Sequence, residues 1–136
     1  MLEAKGGTAL MQIKVAKVFT ENQVLDNAVL SFNQQIEEIK ADSSFDKTAP
    51  GDDSGILDYS DCWLIPGLID THAHGAMGCD VMDASHHSLN TMSQYFASLG
   101  VTGFLPTTMT ADKTDICAAL QQIHRSKTQG VQGAEI

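Results

Sequence analysis

At 136 residues, 43% of them hydrophobic, the chain has the length of about one domain and enough apolar content to build a core, which excludes a disordered protein. Its formal charge of −9 comes from 17 Asp plus Glu against 8 scattered Lys plus Arg, so there is no basic stripe to neutralise a phosphodiester backbone. No run approaches the ~20 uninterrupted apolar residues of a membrane span, the amino terminus lacks a basic region followed by an apolar core, and three cysteines, Cys62, Cys79 and Cys117, without CxxC spacing argue for reduced thiols. The expectation is a cytoplasmic protein with no nucleic-acid and no membrane partner.

Residues 1–10 are small, mixed and patternless, and read as a tail or an alternative start. From Met11 to Phe19 apolar and polar residues alternate, the period of a half-buried strand. Val24 to Phe32 and residues 35–39 are two further predicted strands, with Asn33-Gln34 as a candidate two-residue hairpin turn. Residues 41–55, rich in Asp, Ser, Gly and Pro, predict a solvated loop, followed by a short strand at residues 56–59.

The character then changes at Leu64. Residues 64–75 read Leu-Ile-Pro-Gly-Leu-Ile-Asp-Thr-His-Ala-His-Gly, a Pro-Gly turn, an apolar strand and two histidines spaced by two, with a glycine-rich loop directly after. Side chains alternate faces along a strand, so Asp70, His72 and His74 are expected on one side and Ile69, Thr71 and Ala73 on the other. An HxH pair also occurs in surface loops that bind nothing, but functional loops follow strand carboxyl ends in α/β folds. Neutral imidazole suits borderline divalent metals, so His72 and His74 are candidate ligands, with Asp70 able to orient them or balance charge. Cys79, in the same loop, reads as a structural thiol before it reads as a ligand.

Strand, loop and helix alternate from Leu64 onward, the signature of a parallel sheet with crossover helices. Ser85 or Ser88 can cap a first helix whose stripe is Leu89, Met92, Phe96 and Leu99 and whose left-handed terminus is Gly100. His86 and His87 fall at its start and are expected to face solvent. A strand at residues 101–105 follows. The last helix, capped near Asp112 or Thr114, carries Ile116, Ala119, Leu120 and Ile123 and stops before Gly130, with His124 in its closing turns. Met77, Met82, Met92 and Met109 are spread as core filling would be.

The β-rich start followed by the residue 64–75 motif resembles the opening of the metal-dependent amidohydrolases. Within that superfamily, residues 75–85 (Gly-Ala-Met-Gly-Cys-Asp-Val-Met-Asp-Ala-Ser) and 101–110 (Val-Thr-Gly-Phe-Leu-Pro-Thr-Thr-Met-Thr) look like the N-acetylglucosamine-6-phosphate deacetylase family. The resemblance implies an α/β fold: residues 11–63 as the N-terminal part of a β-sandwich, then residues 64–136 as the first two strand-helix units of a (β/α)8 barrel, incomplete in this chain because eight units take roughly 250 residues. Residues 133–136 resemble the lead-in to the third barrel strand, and Glu135 is not the family's metal-binding Glu.

The implied chemistry is hydrolysis of the N-acetyl amide of an amino-sugar phosphate to glucosamine 6-phosphate and acetate. One or two divalent ions, zinc or iron, would acidify water and polarise the amide carbonyl, with His72 and His74 holding one of them. The remaining ligands and the general acid/base Asp are expected beyond Ile136, and the complete enzyme is expected to be a homodimer. The 136-residue chain by itself is expected to be inactive, since catalytic zinc sites normally use three protein ligands. Two other readings stay open: another cyclic-amide hydrolase or deaminase of the superfamily, or an inactive fragment acting at most as a binding module. An open barrel fragment would also expose strand edges and the apolar faces of Leu68, Val101 and Phe104.

Overall fold

The computed structural model describes residues 10–41 and 56–136. Most of the expected tail and almost all of the loop expected at 41–55 lie outside the described residues. The chain divides between Pro66 and Gly67 into two compact units. Leu64, expected to open the second region, instead closes the last strand of the first.

The first unit is a four-stranded sheet of β1 (Met11–Phe19), β2 (Val24–Phe32), β3 (Ile36–Ala41) and β4 (Leu57–Leu64), in the order β3-β2-β1-β4. The first two strands match the alternating segments residue for residue. They pair antiparallel from Met11↔Phe32 to Phe19↔Val24, and Lys17 pairs with Asp26 across them. Val15, Val18 and Ala28 form the core of this sheet, with Ile13, Leu25, Ile39 and Leu64 against it.

Two features depart from expectation. The β2–β3 turn has three residues rather than two, because Asn33 builds it with its own side chain. Its Oδ1 accepts the Gln35 N–H at 3.0 Å and its Nδ2 donates to Glu37 at 2.7 Å, while the register slips so that Phe32 faces Ile36. Strand β4 is twice the expected length and runs parallel to β1, with a register slip between Val15 and Lys17. Its polar interior, Asp58, Ser60 and Asp61, hides it from a pattern search; the strand is defined by pairing with a distant segment.

The second unit is a β-α-β arrangement. Strand β5 (Leu68–Ala73) leads through a short hairpin of β6 (Gly75–Ala76) and β7 (Cys79–Asp80), a 3-10 turn (Val81–Asp83) and helix α1 (His86–Ser98) to β8 (Val101–Pro106), which lies parallel to β5. Helix α2 (Lys113–Gln129) follows. Residues 134–136 then return beside β8 in parallel: Phe104 N–H donates to the Glu135 carbonyl (2.8 Å) and Glu135 N–H to the Thr102 carbonyl (2.9 Å). Residues 133–136, expected as the lead-in to a third barrel strand, make one isolated parallel bridge, Gly103↔Glu135.

Helix α1 packs one face of these strands. Leu89, Met92 and Phe96 join Ala73, Val81, Phe104 and Ala134 in one buried cluster, with the Phe96 and Phe104 rings 5.0 Å apart at a tilt. Phe104 is therefore fully buried, not open as expected of a barrel fragment, while Leu68 and Leu105 are exposed. Leu99 is 57% exposed, because the helix ends at Ser98 and the chain leaves the helical path before the left-handed Gly100 (φ 81°). On α2 the buried side runs through Ile116, Ala119, Ile123 and Ser126, leaving Leu120 at its margin and exposed. Met92 is buried as expected, but Met77 and Met109 are exposed. Among the described residues no helix is long and apolar enough to cross a membrane.

Candidate metal centre

The HxH pair sits at the carboxyl end of β5. Ala73 is buried under α1, and the residues either side of it, His72 and His74, turn the other way. Their Nε2 atoms approach to 3.0 Å, with the rings edge to face and their centroids 4.7 Å apart. Ligand bonds of about 2.0–2.1 Å from each nitrogen can meet at one ion across such a gap. The pleat is not regular here: Asp70 is opposite Phe104 but Ala73 is opposite Pro106, so β5 spends one extra residue between them. Of the three residues expected on the side opposite the histidines, only Ala73 is buried; Ile69 and Thr71 are exposed.

Each histidine is held by a different device. The Asp70 carboxylate accepts the main-chain N–H of His72 at 3.0 Å, so it steadies the strand end through the backbone. His74 is fixed by its ring: Nδ1 lies 2.9 Å from the carbonyl oxygen of Thr107, just past the end of β8. That contact was missed from sequence. Its only signal was the Pro-Thr-Thr run closing the strand at residues 106–108, since loops at strand carboxyl ends carry function.

The loop after the histidines is a rigid support. The hairpin β6–β7 turns through Met77 (φ 54°) and Gly78 (φ 74°), both left-handed, as a two-residue hairpin of primed type requires. At Gly75 a Cβ would stand 2.4 Å from the Cys79 carbonyl oxygen, so no side chain fits. The Val81 N–H donates to the His74 carbonyl at 2.8 Å and ties the 3-10 turn back to the candidate ligand. Asp80 and Asp83 cap this turn reciprocally, Asp80 accepting from Met82 N–H and Asp83 from Asp80 N–H. The Asp80 N–H and then the Ser88 hydroxyl, at 2.7 Å, hold the Asp83 carboxyl below the usual carboxylate range.

Other titratable residues lie elsewhere. His86, expected to face solvent, is half-buried, its Nδ1 2.9 Å from the buried Ser126 hydroxyl of α2; its position at the start of α1 turns it toward the second helix. His87 is exposed as expected, and His124, near the end of α2, is exposed too. Cys79 is half-buried against the core, and Cys62 and Cys117 are free and exposed. Among the described residues no group of three or more His, Cys, Asp or Glu side chains converges on a metal position. The donor set present is two imidazoles, which suits a divalent ion chemically and supplies half a tetrahedral shell.

Fold and site together define an α/β chain that presents paired imidazoles at the carboxyl end of a parallel strand, where α/β proteins place their chemistry. No family model matches the chain. The sequence resemblance is borne out by its relatives, which include an N-acetylgalactosamine-6-phosphate deacetylase from Escherichia coli O157:H7 and N-acetylglucosamine-6-phosphate deacetylases. The one from Vibrio furnissii is 66% identical over 73 residues, 54% of this chain and 18% of the relative. The one from Bacillus subtilis (strain 168) is 36% identical over 114 residues, 79% of this chain and 26% of the relative. The chain thus spans between about a seventh and a quarter of the curated relatives it matches. A solved N-acetylglucosamine-6-phosphate deacetylase from Pasteurella multocida shares the fold, with a TM-score of 0.77 at 22% identity over 93% of this chain and 32% of that one.

Proposed function

We propose that these residues carry the first ligand pair of a deacetylase that hydrolyses N-acetylglucosamine 6-phosphate to glucosamine 6-phosphate and acetate, the activity belonging to the complete enzyme. The observation that carries this reading is the 3.0 Å approach of His72 Nε2 and His74 Nε2 at the end of β5, in a chain with a 66% identical deacetylase relative.

In this reading residues 11–63 contribute to a β-sandwich and residues 64–136 to the first units of a (β/α)8 barrel. Supporting it are the parallel order β5, β8 and the returning residues 134–136. His72 and His74 hold a divalent ion, zinc or iron, as one of one or two per site; Asp70 keeps the strand end in place and Thr107 orients His74. The bound ion supplies Lewis acidity toward the amide carbonyl and lowers the pKa of water. Proton transfer to the leaving amine falls to a carboxylate outside this chain. The complete enzyme is a cytoplasmic homodimer in this reading, and its substrate's phosphate is recognised by residues outside these 136.

The test is acetate release by the full-length protein from N-acetylglucosamine 6-phosphate, with N-acetylgalactosamine 6-phosphate, dihydroorotate, hydantoin and adenine alongside. Preferred turnover of the first is expected, and no turnover by the 136-residue chain. Turnover of a cyclic amide or adenine in place of the sugar phosphate would replace this reading with another hydrolase or deaminase.

A further inference from the structure

The two histidines are not equivalent, and the difference originates on another strand. A carbonyl oxygen only accepts, so the 2.9 Å contact between His74 Nδ1 and the Thr107 carbonyl requires the proton on Nδ1. In the neutral ring this leaves Nε2 of His74 with a free lone pair. His74 is thus in the form that binds a metal through Nε2, which lies 3.0 Å from the Nε2 of His72, whereas among the described residues no hydrogen bond to a carbonyl sets the tautomer of His72.

The Thr107 carbonyl is itself fixed. Its own N–H donates to the Ala73 carbonyl at 2.8 Å and its hydroxyl to the Leu105 carbonyl at 3.0 Å. The same residue therefore grips β5 on both sides of the peptide that joins Ala73 to His74. From the other direction, Val81 N–H holds the His74 carbonyl. The ring, the peptide before it and the carbonyl after it are all anchored by segments beyond β5.

We propose that Thr107 is a positioning residue whose main-chain carbonyl sets the tautomer of His74, making it a preformed ligand. This rests on the ligand-pair reading above, but the first test does not depend on metal binding or turnover. Long-range proton–nitrogen spectra of the metal-free, histidine-labelled full-length protein at mildly alkaline pH report which ring nitrogen is protonated. His74 is expected as the Nδ1–H form, its signals assigned with His72→Gln and His74→Gln. A proton on Nε2 of His74 overturns the proposal, whatever the enzyme hydrolyses.

A second measurement weakens the acceptor without touching a side chain, by replacing the Thr107–Thr108 peptide bond with an ester. The expected result is a mixture of His74 tautomers and roughly 10-fold or greater weakening of zinc affinity, in the range found when a partner of a metal ligand is lost. An unchanged tautomer in that protein also overturns the proposal. Loss of deacetylation with the Nδ1–H form intact would instead count against the deacetylase reading and leave this one standing.

Discussion

The amino-terminal sheet and the β/α unit differ in how far along the chain their buried clusters reach. In the sheet the cluster is three small residues, Val15, Val18 and Ala28, from the neighbouring strands β1 and β2, and the far-reaching contact is the parallel pairing of β4 with β1. In the β/α unit the buried cluster draws on β5, the 3-10 turn, α1, β8 and the closing segment. The candidate ligand follows the same rule, since His74 is oriented by a residue 33 positions later. The candidate site lies in the unit whose buried cluster holds together across the sequence. Such contacts fix a side chain to the fraction of an ångström that a ligand pair requires.

The sharpest way to break this contrast is to remove the ligands. In the full-length protein, His72→Ala and His74→Ala are each expected to lower metal content and turnover by more than the roughly 10–100-fold typical of losing a mere partner of a ligand, with circular dichroism unchanged. Unchanged metal stoichiometry by elemental analysis in both variants would overturn the assignment.

The next effect is on stability. Phe104 is 1% exposed and meets Phe96 at 5.0 Å between ring centroids. Phe104→Ala is expected to cost about 3–5 kcal/mol by denaturant titration, the range for emptying a buried aromatic site. A loss below about 1 kcal/mol would show that the cluster is not what holds the β/α unit together.

The same contrast explains what was legible beforehand. Strands β1 and β2 follow from alternation, which is a local property. The Leu89, Met92 and Phe96 stripe follows from helical period, and the HxH pair from strand geometry. What escaped was set by partners far along the chain: the length of β4, written by its parallel pairing with β1; the burial of His86 against Ser126; and the Thr107 carbonyl on His74. Leu99 and Leu120 are exposed against expectation because a periodic stripe says nothing about where its helix ends or how wide the covered face is.

Gly133 probes one of those distant partnerships at moderate cost. Residues 132–134 lie against α1, with Ala134 N–H donating to the Ser93 carbonyl, the buried Ser93 hydroxyl donating to the Ala134 carbonyl, and Gln132 N–H donating to Asn90. A Cβ at 133 would stand 2.4 Å from the Ser93 carbonyl oxygen, which is helix backbone and cannot step aside. Gly133→Ala is expected to destabilise by about 1–3 kcal/mol, as overpacking does. Hydrogen exchange should show the loss first at Phe104 and Glu135, whose amides pair β8 with the closing segment.

The smallest effect tests a contact that is local even within the β/α unit. Asp83 accepts from Asp80 N–H and Ser88, and these bonds hold its carboxyl below the ordinary value of 3.8. A carboxylate that ionises more readily in the folded state stabilises the fold fully above that value, and the contribution is lost as pH falls through the lowered one. Asp83→Ala should therefore lower the denaturation midpoint at pH 7, and the gap from the parent should narrow as pH drops below about 3.8. The site is solvent-exposed, so the gap should be the smallest of the series and shrink in added salt. Equal gaps at pH 7 and pH 3 would show that the side chain's packing, rather than its charge, secures the turn beneath the histidines.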